Sequence, residues 1–175
     1  MLDEAVKKAK ELGSDNDELA AIVSVGALKW NDLKRDAKTE IVFDWNEILN
    51  MQGNSGPYLQ YTFARTQSVI KKSGFKPSQK IDQAVVKSKL SDQERLLLSA
   101  FIHFPEIVEE AAQKYAPNLL CNYLYDLASK FNTFYNGHKI IGGENEQLKL
   151  AIVYTTGKLI NKGLTLLGIE SPEKM

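Results

Sequence analysis

Apolar positions recur with the helical period along nearly the whole chain, and strand-like alternation is almost absent. Leu2, Val6, Ala9 and Leu12 share one face of a short first helix, which Gly13 should stop. Beyond the polar residues Ser14 to Glu18, the positions Leu19, Ile22, Val23, Ala27 and Trp30 predict a second helix to Leu33 that tolerates Gly26 at some cost. Lys34 to Lys38 is a charged break, and the β-branched run Thr39 to Phe43 is expected to be extended. Asp44, with Glu47 three residues on, has the form of a capping box opening a brief helix through Met51.

The next helix runs to Lys72. Asn54 or Ser55 can cap it, Gly56 permits a sharp entry, and Pro57 sits in the first turn, where a missing N–H costs nothing. Leu59, Phe63, Thr66 and Ile70 form its core-facing stripe, and Gly74 marks its end. Gly74 to Lys89, lysine-rich and sparse in apolar residues, reads as a loop with a weak helical turn after Ile81. Ser91-Asp92-Gln93-Glu94 is a capping box before Leu96-Leu97-Leu98 and Phe101-Ile102. Pro105 is expected to end that helix, with His103 near the break, and to open another over Glu106 to Tyr115; Pro117 repeats the device. Leu120, Leu124, Leu127, Phe131 and Phe134 then make a continuous seam, flanked by Tyr123, Tyr125 and Tyr135. After a loop at Asn136 to Glu144, the last helix covers roughly Asn145 to Leu167 and carries two adjacent apolar stripes. An all-α helical bundle follows.

The helix after Pro57 carries a second stripe of another kind. Tyr58, Tyr61, Arg65, Ser68 and Lys72 line up two phenols, a guanidinium, a hydroxyl and an ammonium. Phenol rings stack on unpaired bases while Arg and Lys meet phosphates, so the set suits single-stranded nucleic acid. The same spacing also fits half-buried packing tyrosines flanked by solvated charges.

Charge is zero overall, which does not suit a strongly basic nucleic-acid binder, but its distribution is uneven. Arg65, Lys71, Lys72, Lys76, Lys80, Lys87 and Lys89 stand against Asp82 alone, whereas Asp92, Glu94, Glu106, Glu109 and Glu110 stand against Arg95 alone. A basic end and an acidic end are expected, the basic one being either a phosphate-facing patch or a loop kept soluble by lysines. At 175 residues and 43% apolar content the chain can bury an ordinary single-domain core. Cys121 is the only cysteine and is expected to be a packing residue; no intrachain disulfide is possible. No segment has a signal peptide's apolar run or a membrane span, so a cytoplasmic setting is expected.

Catalytic chemistry is missing. His103 and His138 have no second ligand at metal spacing, and no phosphate loop, dinucleotide-binding turn or nucleophile elbow occurs. Asp126, alone in an apolar stretch, reads as a surface or hydrogen-bonded structural carboxylate. No catalytic residue and no metal site is assigned.

The segment Gly53-Asn54-Ser55-Gly56-Pro57-Tyr58-Leu59-Gln60-Tyr61, followed by Ala64-Arg65, resembles the Gly-Asn-Thr-Gly-Pro-Tyr-(Ile/Leu)-Gln-Tyr-x-x-x-Arg segment of arginyl-tRNA synthetases. The likeness continues in order. Val25-Gly26-Ala27-Leu28-Lys29-Trp30, Val42-Phe43-Asp44-Trp45, Phe104-Pro105-Glu106-Ile107-Val108, Tyr123-Leu124-Tyr125-Asp126-Leu127-Ala128 with Phe131 and Phe134-Tyr135, and Gly163 to Met175 are each similar to that family's patterns. Gln147 departs from it, standing where many members carry Arg, and Gly137 to Gly143 shows no clear family pattern.

The resemblance implies a helical anticodon-binding domain over residues 55–175, with residues 1–54 as the tail of a catalytic region. It implies that Tyr58, Tyr61 and Arg65 meet the anticodon arm of an arginine-accepting tRNA and that Met175 lies close to the anticodon loop; Lys72 would add a phosphate contact. The family's two ATP signature motifs are absent and would lie upstream. On this reading the chain is the C-terminal piece of an arginine–tRNA ligase, its partners are the tRNA and the upstream catalytic domain, and the ATP and Mg that the parent enzyme uses are not bound by this piece, which should be inactive alone. A helical protein-interaction module without RNA binding is the competing class, and an intact small enzyme the third.

Overall fold

The computed structural model describes residues 1–11, 16–40, 43–77 and 90–175. Among them are seven helices and no strand: α1 (Leu2–Glu11), α2 (Asp17–Leu33), α3 (Trp45–Ile48), α4 (Gly56–Ser73), α5 (Asp92–Gln113), α6 (Pro117–Gly137) and α7 (Glu146–Leu166). The all-α bundle is as expected. The stop at Gly13, the turn after Ile81 and Lys80, Lys87 and Lys89 lie outside the described residues, as does part of the extended run at Thr39 to Phe43.

Helix α6 is central and touches α2, α4, α5 and α7. Its seam is fully apolar: Leu124, Leu127, Phe131 and Phe134 are wholly buried and Leu120 nearly so. Burying such side chains contributes on the order of 1.5–3 kcal/mol each. Cys121 lies in the same interior, and burial pushes its thiol up to about 12. The Tyr123 hydroxyl donates to the Ala100 carbonyl across the α5–α6 interface at 2.9 Å, and burial raises its pKa. Asp126 is on the surface, paired with Lys130 one turn on.

Where α4 begins, Gly56 meets the backbone of α2. A Cβ on Gly56 would come within 2.4 Å of the Gly26 carbonyl oxygen, and one on Gly26 within 2.6 Å of the Gln60 amide nitrogen. Gly56 therefore lets α4 meet α2, and the entry itself is capped by Ser55, whose Oγ accepts from the Tyr58 amide at 3.2 Å. Asn54 serves elsewhere, accepting from Trp30 Nε1 at 2.8 Å. Gln60, wholly buried, donates to the carbonyls of Ile22 (3.2 Å) and Glu170 (2.7 Å), which fastens the C-terminal tail across α2 and α4.

Four expectations are corrected. Pro105 does not break its helix: α5 continues through it from Asp92 to Gln113, capped as expected by the reciprocal Ser91 and Glu94 bonds. The apolar positions Leu97, Ala100, Phe104, Ile107 and Ala111 stay on one face across the proline, and their burial against α6 and α7 outweighs the roughly 3 kcal/mol that an interior proline costs. His103 is accordingly an exposed mid-helix residue, 3.1 Å from Glu106, and ends no helix. At α3, which stops at Ile48 rather than at Met51, Asp44 caps through the Asn46 amide at 2.9 Å. Glu47 forms no box. It reaches instead to Lys34 Nζ at 2.7 Å and Arg35 Nη2 at 2.9 Å, and the Lys34 hydrogen bond, more than the surrounding charges, holds its carboxyl below the usual range.

Candidate nucleic-acid interface

The second stripe of α4 faces outward beside α6. Its N-terminal end is fixed by the Ser55 cap, and the opposite face is anchored by Leu59 and Phe63, so the stripe's direction is set by packing beneath it. At its centre is Arg65. The guanidinium lies over the Tyr61 ring at 4.8 Å and over the Tyr135 ring at 5.1 Å, and Nη1 donates to Asn132 Oδ1 at 2.6 Å. Asn132 Nδ2 in turn donates to the Tyr58 hydroxyl at 2.8 Å and to Thr62 Oγ1 at 3.2 Å. One amide thereby aligns the phenol and the guanidinium, 74 and 67 residues away in the chain.

The two tyrosines differ. Tyr58 is half-buried and tilted against Tyr125 at 5.7 Å, whereas Tyr61 is 37% exposed and presents ring surface to solvent. Together with Met51, Gln52, Arg65 and Asn132 they line a cleft of about 350 Å³. A second cleft of about 390 Å³ opens on the other side of Arg65, where Lys72 and His138 reach its walls. The arrangement offers an open aromatic face and a cation already oriented by two rings and an amide, which is what stacking on a base beside a phosphate requires.

Of the residues expected at the site, Tyr58, Tyr61, Arg65 and Lys72 are brought together along these two clefts. Met175 stands apart from them, packed with Val6 and Leu19 onto the small α1–α2 cluster of Ala9, Ala20 and Val23. Spacing marks Tyr135 only as flanking the α6 seam and does not single out Asn132. Their signal was weak: both sit off the buried seam of α6, one polar and one aromatic, beside a run that is otherwise core.

A family model described as the DALR anticodon binding domain matches residues 59–175. This chain belongs to that family. The whole chain is also similar to part of longer curated sequences. It is 35% identical to the arginine–tRNA ligase of Hamiltonella defensa and 38% identical to that of Thermococcus sibiricus, in each case over all of this chain, which covers 32% and 30% of those proteins. The chain thus spans about a third of the length of the curated relatives it matches. Among solved structures, arginyl-tRNA synthetase from Thermus thermophilus superposes with a TM-score of 0.88 at 32% identity, over 99% of this chain and 31% of the other. The Plasmodium falciparum arginyl-tRNA synthetase does so with 0.86 at 28% identity, over 99% and 33%. No helix among the described residues is long and apolar enough to cross a membrane.

Proposed function

We propose that this DALR domain binds the anticodon arm of an arginine-accepting tRNA as the C-terminal part of an arginine–tRNA ligase, supporting the ATP-dependent attachment of arginine in protein synthesis. The observation that carries the reading is Arg65, held between Tyr61 and Tyr135 and bonded to Asn132, on the outer face of the helix where the family match begins. Tyr61 supplies a stacking surface, Tyr58 a partly covered one, Arg65 a positioned cation and Lys72 an exposed one at the next cleft. Residues 1–54 belong, in this proposal, to the tail of the catalytic region, and Met175 reaches the anticodon loop from the α1–α2 side. The setting is the cytoplasm, where translation takes place.

The ligation chemistry belongs to the upstream part of the parent enzyme. Among the described residues no group of three or more His, Cys, Asp or Glu residues could hold a metal ion. The test is a titration of the chain with arginine-accepting tRNA transcript and an anticodon-swapped control at low and moderate salt. Preferential binding to the first, weakening as salt rises, is expected. Absence of binding at every salt concentration would overturn the proposal in favour of a protein-docking module.

A further inference from the structure

A second cation–aromatic cluster lies where α4 faces α7, on the flank away from Asn132 and Tyr135. The Lys158 ammonium stands 5.5 Å from the centre of the Tyr154 ring, and the Phe75 ring is tilted against Tyr154 at 6.2 Å. Gln67 marks where the two helices meet, since a Cβ on Gly157 would come within 3.2 Å of its amide nitrogen. Lys71, one turn beyond Gln67, and Lys162, one turn beyond Lys158, extend the cluster along both helices. All three lysines are exposed, and both rings are half-buried.

The charge on this flank has one sign. Helix α4 contains no acidic residue, and α7 contains none beyond Glu146 in its first turn. Among the described residues no carboxylate pairs with Lys71, Lys158 or Lys162, whereas Lys10 is held by Asp17 and Lys114 by Glu110. Lys158 and Lys162 stand about 6 Å apart along the helix axis, so their fields add on one side of the molecule. An occupant of this face is therefore anionic. Lysine is depleted from protein interfaces, while phosphate oxygens are a regular partner of it, and a half-buried ring beside the cation suits a ribose or a base edge-on or stacked.

We propose that the face formed by Tyr154, Lys158 and Lys162 on α7, with Lys71 on α4, binds a second stretch of the RNA through its phosphates and without regard to sequence. This rests on the RNA-binding reading above and adds to it a division of labour. The Arg65 face discriminates between RNAs, and the α7 face raises affinity for any of them by releasing counterions from the backbone.

The experiment compares the parent chain with the double variant Lys158→Gln, Lys162→Gln, titrating the arginine-accepting transcript and an anticodon-swapped control over a range of salt. Both positions are exposed on a helix and glutamine keeps the helix propensity, so folding is not threatened. Affinity for the two RNAs should fall by the same factor, about three- to tenfold at low salt, and the salt slope should shrink by about 1.4 to 1.8. Lys114→Gln, which removes a lysine of the acidic α5 from its ion pair, should leave the slope unchanged. If the parent binds RNA but the double variant keeps its slope, the second face is wrong and the RNA reading stands. A slope that falls as much per charge in Lys114→Gln also overturns it, because overall charge would then be the cause. A double variant that loses affinity for the arginine-accepting RNA alone overturns the sequence-independent role. No binding by the parent at any salt removes the RNA reading and this face with it.

Discussion

Two faces of α4 begin from similar aromatic side chains and end differently. Phe63 is 6% exposed and joins the core with Leu59, whereas Tyr61, two residues earlier, is 37% exposed and covers a guanidinium. The inward face is non-specific in its chemistry and strict in its volume. The outward face is the reverse: it has space to spare, and what matters is which groups are held and in which direction. A substitution on the first should therefore move stability, and one on the second should move binding.

The largest effect is expected in the interior beneath both. Phe131 is wholly buried, with the Phe134 and Tyr135 rings at 6.4 and 6.0 Å, and Phe131→Ala should cost about 3–5 kcal/mol, seen as a lower melting temperature. On the outer face, Tyr61→Ala should weaken tRNA binding by about 1–3 kcal/mol with less than about 1 kcal/mol lost in stability. Unchanged affinity together with a lost melting transition would show the ring to be core and erase the contrast. Asn132→Ala should cost about 1–2 kcal/mol of affinity by releasing Arg65 and Tyr58 from their shared amide. Because it removes no charge, its salt slope should match the parent's, which separates loss of alignment from loss of a phosphate contact.

The smallest effect concerns pH and lies away from the site. The Glu47 carboxyl is held below its unfolded value, so its contribution to stability is present above the unfolded pKa and is lost as pH falls through the folded one. Its side chain is half exposed, so solvent screens the pair, but Lys34 is nearly buried and needs the carboxylate. Urea midpoints should show a smaller acid-induced loss in Glu47→Gln than in the parent between pH 6 and pH 3.5. Equal losses would mean that Lys34 is satisfied by the Asn54 carbonyl, 2.9 Å away.

Local rules made much of this legible. Ser91 with Glu94, Pro57 and Pro117 in first turns, Gly74 at a helix end and the α6 seam all follow from spacing within a few residues, and each is found as read. What failed was settled by partners far along the chain. Pro105 looks like a stop until α6 and α7 are packed against both halves of α5, and Glu47 looks like half of a capping box until α2 places Lys34 beside it. The site divides the same way. Periodicity on one helix could align Tyr58, Tyr61 and Arg65, but Asn132 and Tyr135 come from α6, and no local spacing relates the two helices. The family likeness brought α6 into view without saying which of its side chains would turn toward α4.

The clasp around Arg65 also bears on when disorder is lost. A free arginine side chain carries about 2 kcal/mol of rotamer entropy, and an ordinary surface arginine gives up much of that on meeting a ligand. Here two rings and an amide have already restricted the guanidinium in the unliganded protein, so that loss falls on folding rather than on association. Lys72, exposed and with no such clasp among the described residues, still has its freedom to lose when a phosphate arrives. Of the two cations, the one in the aromatic clasp should therefore give the more favourable binding entropy per contact formed.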